Sequence, residues 1–159
     1  MKSKLSLIGS LLFVSGIAMA QTDYKAVNLG PNVNSKAEEL RPFITADGKT
    51  LYMIKDGHVQ NYSTQDVWYC NLRADSTWAP AEHPNKPFNN NGGNGAVFNV
   101  SPDNTKFLIR GAWEDGEYLG AGISVVRKKE KGFSSPEALV INNYKNILRW
   151  GITTVLICA

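Results

Sequence analysis

Seven short apolar runs, each bounded by Gly, Pro, Asn or Asp, constrain this chain more than any other feature. They are Pro42 to Thr45, Leu51 to Ile54, Val67 to Leu72, Ala96 to Val100, Phe107 to Ile109, Ile123 to Val126 and Ala138 to Ile141. The runs are rich in β-branched and aromatic side chains, and none extends to helical length with a 3.6-residue period. The pattern predicts an all-β fold. Ala46-Asp47-Gly48-Lys49 and Ser101-Pro102-Asp103-Asn104 lie between runs and carry turn chemistry: Pro presets φ, Asp bonds its own backbone, and Gly or Asn accepts a left-handed conformation. Each is expected to close a hairpin.

The runs repeat. Laying residues 26–81 over 82–137 at an offset of 56 pairs Pro31 with Pro87, Asn34 with Asn90, Asp47 with Asp103, Tyr62 with Tyr118 and Pro80 with Pro136. The same offset aligns Ile44 with Val100, Thr45 with Ser101, Leu51 with Phe107, Met53 with Ile109 and Val67 with Ile123. A further step carries Asn90 to Asn146, so a third copy begins near Ala138. A fixed period implies stacked copies of one supersecondary unit. This one, with about four short strands per copy, points to β-propeller blades. Leu51-Tyr52-Met53-Ile54, Val67-Trp68-Tyr69-Cys70 and Phe107-Leu108-Ile109 are apolar without alternation, as strands covered on both faces are. A small sandwich with buried strands is the alternative. The expected architecture is an incomplete propeller: 26–81 as the first antiparallel blade, 82–137 as the second, and 138–145 as the start of a third.

The first twenty residues, Met1 to Ala20, read as a secretory signal peptide. Lys2 and Lys4 precede an apolar stretch from Leu5 to Val14, and Ala18-Met19-Ala20 supplies small residues for cleavage before Gln21. The apolar stretch is shorter than a membrane-spanning helix needs. The full chain carries 17 basic and 14 acidic residues, a net +3 at pH 7, and two of the basic residues belong to this leader. The mature chain is therefore almost neutral, and no nucleic-acid partner is expected. With 2 Cys among 159 residues, a disulfide framework is excluded. Cys70 reads as a buried thiol. The last stretch, 146–159, is apolar and departs from the repeat, which suggests a reading frame truncated or shifted after about Lys145. A short protein that closes its ring by oligomerising is the alternative.

Three segments of the first copy carry a family resemblance. They are Arg41-Pro42-Phe43-Ile44-Thr45-Ala46-Asp47-Gly48-Lys49-Thr50-Leu51-Tyr52, then Gln65-Asp66-Val67-Trp68-Tyr69, then Thr77-Trp78-Ala79-Pro80. They resemble the WD-type repeats of TolB-like propellers, and Asn28-Leu29-Gly30 with Glu38-Glu39 resembles the lead-in of such repeats. The second copy departs from the pattern: Gly122-Ile123-Ser124 stands in place of the Asp66 element, and Phe133-Ser134-Ser135-Pro136 replaces the Trp78 step. The resemblance implies an exported, non-catalytic module in the periplasm or at the outer membrane of a bacterial envelope, of a type often fused to an OmpA-like domain. Its implied partners are envelope proteins or peptidoglycan. A truncated, non-functional fragment of an OmpA-family protein is a further alternative.

Function itself must be read from side chains, since one fold hosts many activities. Propeller hydrolases need paired carboxylates. The candidates are Glu38, Glu39, Asp66 and Glu114-Asp115-Gly116-Glu117, of which the last group reads as a hairpin tip and Asp66 as the cap of a turn. No nucleophile elbow or metal-ligand spacing is present, and no cofactor is implied. His58 and His83 read as solvated loop residues. The binding alternative rests on Asn89-Asn90-Asn91-Gly92-Gly93-Asn94-Gly95 beside Trp113 and Tyr118, taken as exposed aromatics. Asn90, Asn91, Trp113 and Tyr118 are the candidate glycan ligands, against a flexible inter-blade connection as the plainer reading. Two blades alone leave apolar sheet faces uncovered, so self-association is expected.

Overall fold

The computed structural model describes residues 25–90 and 92–139. The expected signal segment with Ala20 and Gln21, Asn91, Cys158, the end of the last run and the tail 146–159 lie outside the described residues. What is described is all-β. Seven strands form two antiparallel meanders: β1 (Glu38–Ile44), β2 (Thr50–Asp56) and β3 (Gln65–Asn71) in one sheet, and β4 (Val97–Val100), β5 (Lys106–Glu114), β6 (Glu117–Arg127) and β7 (Glu137–Ala138) in the other. No helix long and apolar enough to cross a membrane occurs among the described residues.

The offset seen in the sequence is kept in space. β1 and β4 end at Ile44 and Val100, β2 and β5 begin at Thr50 and Lys106, and β3 and β6 end at Asn71 and Arg127. The turns match atom for atom. Thr45 Oγ1 donates to Asp47 Oδ1 at 2.6 Å, and Ser101 Oγ donates to Asp103 Oδ1 at 2.5 Å. Each carboxylate also accepts the backbone N–H two residues on, from Lys49 and Thr105. Gly48 (φ 70°) and Asn104 (φ 57°) take the same left-handed position, which Gly adopts without steric penalty and Asn tolerates. Asn104 Nδ2 then reaches Asp47 Oδ2 at 3.0 Å, tying the turn of one sheet to that of the other.

Two expectations need correction. The first sheet has three strands, and in place of a fourth it has isolated bridges, of which Tyr69 to Glu82 stands where the second sheet pairs Val125 with Glu137. Pro80 and Pro136 are not equivalent. The bridges Leu72 to Trp78 and Lys128 to Phe133 show that the second copy is one residue shorter after its third strand, so Pro136 takes the place of Ala81. Accordingly Pro136 is buried and Pro80 exposed.

The two sheets pack face to face, and unlike faces meet. Phe43, Tyr52 and Val67 of the first sheet lie against Val97, Val100, Phe107, Ile109 and Val126 of the second. Tyr52 meets Phe107 edge-on at 5.9 Å between ring centroids. Phe107 and Ile109 are the counterparts of Leu51 and Met53, which point to the opposite side of the first sheet, under Val33, Trp78 and Ala81. That outer face is therefore covered by the chain itself, contrary to the expectation that it stays bare. Its cover, Val33, precedes β1 as Phe88 precedes β4 and packs against the second sheet. On the far side of the second sheet Leu108, Ile123 and Val125 are half-buried.

Candidate functional site

Antiparallel meanders send alternate connections to opposite ends of the sheet. The β2–β3 loop, the segment joining the two sheets and the β5–β6 hairpin thus gather at one end, where they enclose a cavity of about 460 Å³ at the seam. Tyr62 comes from the first, Asn85, Lys86 and Asn90 from the second, and Trp113, Glu117 and Tyr118 from the third.

The joining segment is fixed to the first sheet. Asn89, 1% exposed, accepts the Val67 N–H at 2.7 Å and donates to the Val67 carbonyl at 2.9 Å and the Pro84 carbonyl at 2.7 Å. Its amide acts as one residue of a further strand on the β3 edge. Gly95 donates its N–H to the Gln65 carbonyl at 2.7 Å, and Asn94 Oδ1 accepts from Ser63 Oγ at 2.6 Å. A Cβ on Gly95 would strike the Asn89 side chain and the Phe88 carbonyl. Among the described residues of this segment, Asn89, Asn90 and Asn94 are thus engaged in hydrogen bonds of the fold.

Its glycines have a second purpose. Gly92 and Gly93, with Gly111 (φ 109°) on β5, lie so close to the Tyr118 ring that a Cβ on any of them would meet it. The ring is thus seated on backbone from two sides and packs edge-on to Trp113, with centroids 5.4 Å apart. Asn90 Oδ1 accepts the Gly92 N–H at 2.6 Å and shapes the loop over it. The hairpin tip itself is a two-residue turn, Asp115 (φ 49°) and Gly116 (φ 83°), between the paired Glu114 and Glu117.

Of the four residues expected to bind, Asn90, Trp113 and Tyr118 meet at this cleft and Asn91 lies outside the described residues. Trp113 is not the exposed platform expected. It is 3% exposed, because alternation along β5 turns it to the same inward side as Phe107 and Ile109. Its indole Nε1, against Gly111, has no hydrogen-bond partner among the described residues. The accessible aromatics are Tyr118, half-buried, and Tyr62, 46% exposed. Sequence reasoning missed Tyr62 as a wall of the cleft, although its register with Tyr118 was a signal.

Behind Tyr62 lies a second cluster. Asp66 is fully buried, and its Oδ2 accepts the Tyr62 N–H at 2.6 Å and lies 2.8 Å from His83 Nε2. The cap role expected for Asp66 is thus present, joined by a contact with His83 that the sequence did not reveal. Neither histidine is a solvated loop residue. His83 stacks on Trp68 at 4.6 Å and His58 packs on the same ring edge-on at 4.4 Å, because the indole offers apolar area that imidazole covers. Burial holds the His58 pKa below its ordinary value, and the nearby Lys55 and His83 act in the same direction. Tyr62 also leans on His83 at 4.8 Å and donates its hydroxyl to Asn85 Oδ1, so this cluster braces the cleft wall. The second sheet has Gly122 at the position of Asp66, and a Cβ there would already touch Ala112.

Cys70 is a buried free thiol whose pKa burial raises. Asp47 and Asp103 serve their turns. Hydrogen bonds from Thr45 and Lys49 hold the Asp47 carboxyl below its usual range, and those from Ser101 and Thr105 bring Asp103 to about 2.

Compared with known proteins, the chain matches no family model, no curated protein and no solved structure.

Proposed function

We propose that this chain is a non-catalytic binding module of an exported envelope protein, built from β-propeller blades of the TolB-like kind. The observation that carries the reading is the meeting of unlike faces: the side of the first sheet bearing Tyr52 and Val67 lies on the side of the second that corresponds to Leu51 and Met53. Such head-to-tail contact can be repeated by a further copy, and a rotation that closes yields a ring. A sandwich of two like faces lacks this property. The bridge at Glu82, in register with β7, supports a shared four-stranded plan.

The distribution of carboxylates favours binding over hydrolysis. Asp66 is engaged by Tyr62 and His83, Glu39 bonds Ser35 and pairs with Lys55, and Glu114 is exposed beside the hairpin tip. Only Glu117 of this set lines the seam cleft, whereas glycoside hydrolysis needs two carboxylates flanking one bond. Envelope proteins and cell-wall glycan are the proposed partners. Expression of the full reading frame in a bacterium tests the export half of the reading. Intact mass is expected to place the new N-terminus at Gln21, with the protein in periplasmic or outer-membrane fractions. Retention in the cytosol with residues 1–20 still attached would overturn it.

A further inference from the structure

Building on the binding-module reading, we infer that the seam cleft is a carbohydrate subsite, in which a neutral pyranose lies against Tyr118 and Tyr62. The volume, about 460 Å³, is in the range of small-molecule sites. A pyranose ring has an apolar face of C–H groups and an equatorial girdle of hydroxyls that both donate and accept. Tyr62 and Tyr118 supply accessible rings for the first. For the second, Asn85 and Asn90 each have their Oδ1 engaged, by the Tyr62 hydroxyl and the Gly92 N–H, and their amide nitrogens, donors by nature, have no acceptor among the described residues. Glu117 provides an acceptor and Lys86 a further donor on the rim.

The Nε1 of Trp113 is buried against Gly111 and has no partner among the described residues. Trp113 lines the same cleft. Its position is maintained by Tyr118, which three close glycine approaches hold in one orientation. The wall is thus ordered before any ligand arrives, which limits the entropy lost on binding. A strongly anionic ligand is disfavoured by the Glu117 carboxylate, and the short rim offers one ammonium group against it.

The test uses the full mature chain, titrated calorimetrically with chitotetraose and, separately, cellotetraose. These probes share the pyranose ring and differ in the acetamido group, so together they report whether the cleft selects for it. Saturable binding to at least one is expected, together with a shift of the Trp113 Nε1–H resonance, assigned by its disappearance in Trp113→Phe. Tyr62→Ala, at an exposed position, and Tyr118→Leu are each expected to weaken binding roughly tenfold, whereas Tyr118→Phe stays within about threefold because it keeps the ring. Tyr62→Ala keeps the test usable if Tyr118→Leu fails to fold. Absence of binding to both sugars at millimolar concentration, or binding unchanged in Tyr62→Ala, would overturn the subsite. Either result leaves the export experiment untouched, so failure here is separable from failure of the envelope reading.

Discussion

At the scale of single residues, Asp103 and Asn89 show two ways in which a short polar side chain can fix backbone. Asp103 is exposed, yet Ser101 and Thr105 hold its carboxyl at a pKa of about 2, below the ordinary 3.8. A carboxylate depressed on folding favours the native state above its unfolded pKa, and that contribution is lost as pH falls through the folded one. The difference in melting temperature between the native chain and Asp103→Ala should therefore be constant above about pH 5 and shrink between about pH 4 and pH 2. Thermal melts across that range check it. Asn89 is internal instead. Replacing it with Ala leaves the Val67 N–H and carbonyl unpaired in the interior, an expected loss of about 2–4 kcal/mol in urea denaturation. The turn role of Asp103 was legible, because Ser-Pro-Asp-Asn chemistry is local. That of Asn89 was not, since an Asn in a Gly-rich stretch reads the same whether its amide meets solvent or a strand edge.

At the scale of elements, the apolar runs located β1 to β6, while their lengths were set by partners; β7 shares only Ala138 with its run and belongs to the second sheet rather than to the third copy expected from Ala138 on. β1 begins at the charged Glu38, where Glu39 pairs across the sheet with Lys55 and their charged groups stand 3.6 Å apart. β5 and β6 run past their apolar runs to the hairpin tip, through Gly111 and Gly120, which a hydrophobic pattern does not register as strand. The Gly92–Gly93 pair belongs to this scale too, because its purpose is the ring of a residue on β6. Gly93→Ala should force Tyr118 off its seat, lowering stability by about 1–3 kcal/mol and reducing the near-ultraviolet dichroism of the Trp113–Tyr118 pair. An alanine equally stable and spectroscopically identical would show that the close approach is not required.

At the scale of the whole molecule, the decisive relation is which face meets which. Among the described residues, the side of the second sheet bearing Leu108, Ile123 and Val125, which are half-buried, packs into neither apolar core. The proposed propeller plan places another copy of the unit there. A second molecule can supply such a copy, so self-association through this face is the expected outcome. Sedimentation velocity should show association rising with concentration, and Ile123→Lys should suppress it without unfolding the chain. A monomer at all concentrations, with no dye-binding hydrophobic surface, would count against an interface on this face.

The sequence by itself determined the all-β class, the position of β1 to β6, the two Asp-centred turns and the offset of 56 that relates the sheets. These follow from local chemistry and periodicity, which adjacent residues carry among themselves. Only tertiary structure decided that Trp113 is floor rather than surface, that His83 and Asp66 pair behind Tyr62, and that the glycines serve Tyr118. Each of these is a contact between residues far apart in the chain, set by the register and stacking of the sheets. Residue type permits such a contact without specifying it.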